Sequence, residues 1–221
     1  MALTDLQSMA RRMTRTDEAS ITAEDIDAAI RTAIWRYSMD RARVMVAEIR
    51  VADGPVFALP DGWEAGFSVL ATIEHGDGEL EGEPLPLSIL RIEETAAGWR
   101  MRLTGPVDTS SLRLRYTVPH RVTQTEDTLA AREWEAVSTY AAAHLLEQIA
   151  AAKSGDVDPS FGADTVSRST PASEYAARSK QLFARYREMI GTRTERTIPA
   201  GVVVAPIQRR VGLTHGVRGW V

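Results

Sequence analysis

Four histidines, at positions 75, 120, 144 and 215, are the side chains of this sequence best suited to acid–base or metal chemistry. His144 and Glu147 are three residues apart in a predicted helix, a spacing that can place two metal ligands on one helix face. The sequence offers no second ligand pair to accompany them. We therefore predict a structural or interface role for His144.

Three aspartates in the stretch from 155 to 171 form a second candidate for ligand binding: Asp156, Asp158 and Asp164. A calcium loop of the EF-hand type alternates its oxygen ligands and has a central glycine and a closing glutamate, an order that this stretch lacks. We interpret it as a solvated acidic loop of about 17 residues, a length that is often functional or mobile.

Other signatures of catalysis are missing from the sequence. The chain has no cysteine, which excludes disulfides, thiolate metal ligands and a cysteine nucleophile. It contains no phosphate-binding loop, no G-x-S-x-G and no H-E-x-x-H. We predict no catalytic site, no cofactor and no bound metal.

Two other function classes stay open. An enzyme with a dispersed active site would need polar groups that converge in a pocket around His120 or His144. A ligand-binding module would use Trp63 and Trp99 of the β-rich region as apolar platforms, although a place in the core is the more common use of tryptophan.

The elements that would position these residues begin with two helices. A short, polar helix is predicted over 4–13, and a longer one over 23–38. Thr22 and Asp25 have the spacing of a capping box, with Asp in place of the usual Glu or Gln. Trp35 lies off the apolar stripe of the second helix, so we expect it to meet another surface.

The longest helical pattern covers 128–154, and Asp127 or Thr128 is its predicted N-cap. A further helix is predicted over 172–190, with Pro171 at its start and a glycine after its end. The short loops of the first 120 residues contrast with the long acidic loop between these two helices.

Residues 43–118 have β-forming residues in short runs that glycine-rich turns separate. Their connections are too short for parallel crossovers, so we predict a mostly antiparallel module of five or six strands. The predicted fold class is α+β. A helical domain comprises 1–42 and 119–191, and the β-rich module is inserted between its two parts. Residues 192–221 follow as an extended tail.

Charge is distributed unevenly along the chain. Residues 192–221 contain five arginines and one glutamate, a net +4, whereas the other 191 residues contain 21 basic and 29 acidic side chains, a net −8. A basic tail on an acidic body predicts an acidic partner, either nucleic acid or the surface of a neighbouring subunit. The tail is also apolar in part, so we expect it to be extended and buried against another surface, for example as a strand added to a sheet edge.

Composition excludes a membrane protein. Hydrophobic residues make up 44% and charged residues 25% of the chain, as in ordinary globular proteins. No run approaches the roughly 18 apolar residues that span a bilayer, and the N-terminus has no signal-peptide core. We expect a soluble protein that is made in a cytoplasm.

This order of parts resembles the head–tail connector adaptor proteins of tailed bacteriophages. The run ITAEDIDAAIRTAIWRYS at 21–38 is similar to the first adaptor helix, and AEIRVADGPVFALPDGW at 47–63 is similar to the β-hairpin that often follows it. LRLRYTVPHRV at 112–122 resembles the last strand, which leads into an alanine-rich helix and then a tyrosine-containing one. The resemblance covers about residues 20–190 and concerns the helix-plus-sheet kind of adaptor.

The resemblance implies a structural virion protein without catalytic activity, located in the phage neck and assembled in the host cytoplasm. Such adaptors form a homo-oligomeric ring, commonly a dodecamer, beneath the portal protein. The ring extends the DNA channel towards a tail, stopper or terminator protein, and DNA passes through it without specific binding. Adaptor C-terminal segments grip the portal, which assigns portal binding to the following tail residues: Pro199, Val202, Val203, Val204, Ile207, Arg209, Arg210, Leu213 and Trp220.

A ring also requires contacts between subunits. We expect Trp35 to contribute to them because it lies off the apolar stripe of its own helix. The second face of the 128–154 helix carries Tyr140, His144 and several alanines, and we expect it to lie close to a helix of the neighbouring subunit.

Overall fold

The computed structural model of the chain describes residues 3–15, 21–76, 84–96, 98–154 and 171–191. Over these residues it confirms an α+β fold. The elements, in chain order, are α1 (Leu3–Thr14), α2 (Ala23–Asp40), β1 (Arg43–Arg50), β2 (Val56–Ala58), β3 (Leu70–His75), β4 (Pro84–Leu85), β5 (Leu90–Thr95), β6 (Gly98–Leu103), β7 (Ser111–Val118), α3 (Ala131–Lys153) and α4 (Pro171–Met189).

Helix α3 is the centre of the helical part, where it packs against α1, α2 and α4. Trp134, Val137 and Leu145 form a buried stripe along one side of α3. Ala142 and Leu146, which lie off that stripe, are fully buried too. A helix with neighbours on several sides needs apolar or small residues all round, which explains why its sequence is rich in alanine.

Helix α1 contributes more to the core than its polar sequence indicates. Leu6, Ala10 and Thr14 are buried on the side that packs against α3. The Arg178 guanidinium of α4 donates hydrogen bonds to the carbonyl oxygens of Met13 and Thr14 at 3.4 and 3.1 Å. These bonds satisfy carbonyl groups that the last turn of a helix leaves without an intrahelical donor.

Helix α2 begins as predicted. The Thr22 hydroxyl accepts the Asp25 N–H at 3.1 Å, and the Asp25 carboxylate accepts the Thr22 N–H at 2.9 Å. The Thr22 hydroxyl also donates to that carboxylate at 2.6 Å, and this hydrogen bond, followed by the one from the Thr22 N–H, lowers the pKa of Asp25. The predicted N-cap of α3 was wrong, because Ala130 occupies that position and its N–H is bound by the Glu133 carboxylate at 2.8 Å. The Thr128 hydroxyl is instead engaged with the backbone of Arg121.

The β-rich module contains seven strands in the described residues, not five or six, and they form two antiparallel sheets of order β1-β7-β3-β4 and β2-β6-β5. The additional strand is β4, where Pro84 lies at the sheet edge and its missing N–H is tolerated. Strand β3 starts at Leu70, after a turn that Glu64 and Ser68 close. A 3-10 turn over Leu87–Ile89 precedes β5.

Buried side chains separate into two clusters. One joins the helices and includes Leu6, Ile30, Trp134, Leu145 and Tyr186. The second joins the strands, and its buried members are Phe57, Leu70, Ile73, Leu90, Met101, Leu112, Leu114, Tyr116 and Val118. Each fully buried aliphatic side chain stabilises its cluster by about 1.5–3 kcal/mol, so both parts have their own hydrophobic driving force. Among the described helices, none is long and apolar enough to cross a membrane.

Candidate interface at the junction of helices and sheets

His120 lies at the junction between the two clusters, directly after β7. Its ring Nδ1 is 3.2 Å from the Thr128 carbonyl oxygen, and its Nε2 is 3.0 Å from the Arg41 carbonyl oxygen. Its backbone N–H donates to the Ser38 hydroxyl at 2.9 Å, and that hydroxyl donates to the Ile34 carbonyl at 2.8 Å. His120 therefore connects the end of β7 to the end of α2 and to the segment that precedes α3.

The end of α4 is attached to the same junction. The Arg41 guanidinium donates to the Ile190 carbonyl oxygen at 2.7 Å. The Tyr186 hydroxyl donates to the Asp40 carboxylate at 2.8 Å, and Arg36 binds the same carboxylate at 3.0 Å. Burial raises the pKa of Tyr186, and the hydrogen bond to Asp40 raises it further. These contacts hold the last turns of α2 and α4 together and give the junction a defined geometry.

Neither His120 nor His144 lines either of two surface depressions in the described part of the chain. Both ring nitrogens of buried His120 face backbone carbonyl oxygens. Nδ1 of His144 is buried without a hydrogen-bond partner among the described residues, and Glu147 beside it is exposed. Within the same ranges, no three His, Asp or Glu side chains cluster closely enough to hold a metal ion.

Two surface depressions also lack the groups that catalysis needs. One lies between α1 and α2, and its lining residues are Thr4, Gln7, Ser8, Arg11, Ala23 and Ile26. The other is largely apolar and lies beside the end of β6, where it is lined by Val51, Gly54, Pro55, Leu103, Thr104, Gly105, Pro106 and Val107. Neither lining brings a histidine or a carboxylate to a hydroxyl group, so neither supplies a nucleophile with a base.

The two predicted tryptophan platforms occupy different surroundings. Trp63 packs on Tyr116 of the strand cluster, with ring centroids 5.9 Å apart. Trp99 lies on β6 of the other sheet and is exposed. Trp63 therefore serves the core, which was the common alternative for a tryptophan in this region.

Tyr140, predicted at a subunit interface, packs within its own chain. Its ring meets Phe183 edge-on at 5.1 Å and Tyr186 at 4.9 Å. Helices α3 and α4 are thus joined by an aromatic triad, which leaves Tyr140 only partly exposed. The predicted contacts of Tyr140 and His144 with a neighbouring subunit remain predictions.

Trp35 belongs to an exposed apolar patch beside the junction. Trp35 is 46% exposed, although its ring lies 5.2 Å from that of Phe67, in the loop before β3. Met39, one helical turn after Trp35, is 60% exposed, and Val69, two residues after Phe67, is 63% exposed. We call Trp35, Met39, Phe67 and Val69 the seam patch, because α2 and the β-rich module both contribute to it.

Of these four residues, only Trp35 was predicted from the sequence to meet another surface. The available signal was the i, i+4 spacing of Trp35 and Met39, both off the buried stripe of α2. The contribution of the β-rich module depends on tertiary packing and has no counterpart in local sequence.

All predicted portal-binding residues, from Pro199 to Trp220, lie outside the described residues. The same holds for the three aspartates of the acidic loop.

No protein-family model matches this chain, and no curated protein matches it.

Proposed function

We propose that this protein is a structural subunit of the head-to-tail connector of a tailed bacteriophage. In this role it forms a homo-oligomeric ring under the portal protein in the neck of the virion, extends the DNA channel and joins the capsid to the tail. The observation that carries the ring is the seam patch, an apolar surface that the described part of the chain leaves exposed. The connector role itself rests on the resemblance of residues 20–190 to adaptor proteins.

The seam patch has the composition expected of a subunit contact. Large aromatic and methionine side chains are enriched at the centres of protein interfaces. Contiguous apolar surface on a single chain is typical of a contact with another protein. In a closed ring each subunit uses two different surfaces, so the seam patch would bind a different face of the next copy.

The junction beneath the patch supports this role. His120, Arg41 and the Tyr186–Asp40 pair connect the end of α2 to the end of α4 and to the segment that follows β7. A contact surface built from two elements keeps its shape only if those elements are fixed relative to each other. The hydrogen bonds of the junction supply that constraint.

Charge supports a channel wall. Residues 1–191 have a net charge of −8, and an acidic wall repels the phosphates of passing DNA, so the DNA slides without binding. The C-terminal residues from Pro199 to Trp220 would grip the portal, as the adaptor resemblance implies. A tail, stopper or terminator protein would bind the opposite side of the ring.

Assembly with the portal protein of the same phage tests the proposal. Purified chain and portal are mixed, and particle masses are measured by analytical ultracentrifugation. We expect a ring on the portal for the wild type, and at least tenfold weaker assembly for Val69→Asp, because a carboxylate would be buried without a partner (about 1–3 kcal/mol or more). Val56→Asp is the matched control, because Val56 is an exposed valine of the β2-β6-β5 sheet and does not belong to the seam patch.

Two results would overturn parts of this proposal. A wild-type chain that neither forms a ring nor binds the portal excludes the connector role. Equal assembly of wild type, Val69→Asp and Val56→Asp excludes the seam patch as the subunit contact while leaving the connector role in place.

A further inference from the structure

An apolar groove lies at the end of the β-rich module where β6 ends. Its lining consists of Val51, Gly54, Pro55 and residues 103–107, whereas Val56 does not contribute to it. The groove has a volume of about 480 Å³. Pockets that hold drug-sized molecules have volumes of about 300–1,000 Å³, so the groove has room for a tryptophan and a methionine side chain, which are smaller than such molecules.

Strand β1 separates this groove from the seam patch. At the seam patch, the Val69 N–H donates to the Thr117 hydroxyl at 3.0 Å, and Thr117 pairs with Val44 near the start of β1. At the groove, Val51 directly follows the end of β1, and its N–H donates to the Ser110 carbonyl oxygen at 2.9 Å. The path from Val44 to Val51 corresponds to about 23 Å of strand. The seam patch and the apolar groove therefore lie at opposite ends of the β-rich module.

The two surfaces are complementary in shape and in charge. The seam patch presents the large exposed side chains of Trp35 and Met39, whereas the groove is a concave and largely apolar surface. Each is flanked by an exposed charge, because Arg31 lies one helical turn before Trp35 and Asp108 directly follows Val107. These two charges have opposite signs, and neither forms an ion pair within the described part of the chain. A second copy of this chain therefore offers each surface a matching occupant.

We propose that the apolar groove of one subunit receives the seam patch of the next, with Trp35 and Met39 inside the groove. This inference rests on the proposed ring and names the second of its two contact surfaces. A contact between two different surfaces leaves one copy of each surface free on a dimer, so further subunits can be added until the ring closes. A contact between two seam patches would end at a dimer, because both copies of the surface would then be occupied.

Mixed variants test whether the contact joins two different surfaces. A Cβ atom at Gly105 meets nothing within 4 Å, so Gly105→Glu places a carboxylate in the groove without an overlap in the fold, and Val69→Asp places one in the seam patch. Each variant alone should associate at least about tenfold more weakly than the wild type, because the contact would bury an unpaired carboxylate. An equimolar mixture should form dimers and nothing larger, because the intact groove of the Val69→Asp chain accepts the intact seam patch of the Gly105→Glu chain. Analytical ultracentrifugation of the full-length chains measures these masses, and Gln148→Glu, at an exposed position near the end of α3, is the matched control.

Cross-linking identifies the two surfaces and also captures a weak contact. The chain has no cysteine, so Met39→Cys and Gly105→Cys each supply one defined thiol at an open position. A short bismaleimide is added to the equimolar mixture of these two full-length variants, both alone and with the portal protein. We expect at least about tenfold more covalent dimer than from either variant by itself, because only the mixture brings a seam-patch thiol to a groove thiol. Gln148→Cys mixed with Gly105→Cys is the matched control and should yield no more dimer than the single variants.

Three results would overturn this contact. The first is a yield of covalent dimer no higher than in the control mixture, with and without the portal. The second is an equal yield from Met39→Cys alone, which would mean that two seam patches meet. The third is a mixture of Val69→Asp and Gly105→Glu that stays monomeric at concentrations where the wild type associates. The connector role fails separately: a ring on the portal without the cross-link keeps that role and excludes this contact, whereas cross-linked dimers that do not bind the portal keep this contact and exclude that role.

Discussion

At the residue scale, buried His120 is the side chain that most directly connects the helical and β-rich parts. Its ring lies between two backbone carbonyl oxygens that belong to segments 87 residues apart, Arg41 and Thr128. The imidazole ring of His120 also lies 5.4 Å from the ring of Tyr37, so it fills space between the segments as well as making polar contacts. His144, by contrast, has a buried Nδ1 with no hydrogen-bond partner among the described residues.

We predict that His120→Leu lowers the free energy of unfolding by about 1–3 kcal/mol, because it removes the ring N–H that one tautomer donates to the Thr128 carbonyl oxygen and the other to the Arg41 carbonyl oxygen. His144→Leu should change the stability by less than about 1 kcal/mol, because the Nδ1 atom has no bond to lose. Urea unfolding followed by circular dichroism measures both. Similar losses for the two variants would show that packing, not hydrogen bonding, determines the role of His120.

The junction tyrosines predict a loss of stability at high pH. Burial raises the pKa of Tyr37 to about 12, and the negative charge of Glu133 adds to the shift. Burial and Asp40 likewise raise the pKa of Tyr186. The folded state thus holds these phenolic protons more tightly than the unfolded state, whose tyrosine pKa is about 10. The contribution of Tyr37 is complete below pH 10 and is lost as the pH rises from 10 through 12, and that of Tyr186 also begins to be lost as the pH rises above 10.

Urea unfolding at pH 9, 10 and 11 measures this dependence. We expect the free energy of unfolding to fall above pH 10 in the wild type and to fall less steeply in Tyr37→Phe, which cannot ionise. Tyr186→Phe should have a lower free energy of unfolding already at pH 9, because it loses the hydrogen bond to Asp40. Its free energy of unfolding should also fall less steeply with pH. If both variants depended on pH as steeply as the wild type, the loss of stability above pH 10 would not be due to these two tyrosines.

At the element scale, the pairing of β3 with β7 depends on a close approach at its end. The Gly76 N–H donates to the Ser111 carbonyl oxygen at 2.9 Å. A Cβ atom at Gly76 would lie 3.0 Å from the Ser111 carbonyl carbon and would overlap its hydroxyl group. Because the obstacle includes backbone, the two strands would have to separate to accept a side chain.

Gly76→Ala should therefore destabilise the fold by about 1–3 kcal/mol, as other overpacking substitutions do. Gly105→Ala is the matched control, since a Cβ there meets nothing within 4 Å, and reduced freedom of the unfolded chain should make it neutral or slightly stabilising. Thermal unfolding compares the two. An unchanged midpoint for Gly76→Ala would mean that the strand ends separate at little cost.

At the scale of the whole molecule, the separation of an acidic body from a basic C-terminal segment predicts salt-dependent binding. If Arg209 and Arg210 meet an acidic surface of the portal, affinity should fall as salt screens the attraction. Alanine at both positions should weaken portal binding by about tenfold at 0.05 M salt and reduce the salt dependence.

The chain offers a matched control for this experiment in Arg11 and Arg12, an exposed basic pair of α1. Alanine at both of these positions should leave portal affinity unchanged at every salt concentration. Titration calorimetry against the isolated portal measures all three proteins. Equal loss of affinity in the two double variants would indicate a general charge effect and not a specific contact of the C-terminal segment.

Local sequence was sufficient for features that depend on neighbours along the chain. The capping box of Thr22 and Asp25, the proline that starts α4 and the glycine that follows it were all predicted, because hydrogen bonds and backbone preferences within a few residues determine them. The α+β class was predicted for the same reason, since the period of apolar residues changes from helical to alternating between α2 and β1. The short β4 was not predicted, because Pro84 forms a strand only through its pairing with β3. The start of α3 was not predicted either, because Ala130 has no side-chain cap and the Glu133 carboxylate binds its N–H instead.

Only the tertiary structure decided which of the chemically capable residues are available for function. Sequence could place His120, Tyr140 and Trp35 on their elements, but not say what each side chain contacts. The fold buries His120 between two carbonyl oxygens, packs Tyr140 against Phe183 and Tyr186, and leaves Trp35 exposed beside Phe67. The physical reason is that exposure and hydrogen-bond satisfaction arise between segments as far apart as 165 residues, the separation of Met13 from Arg178, where local pattern carries no information.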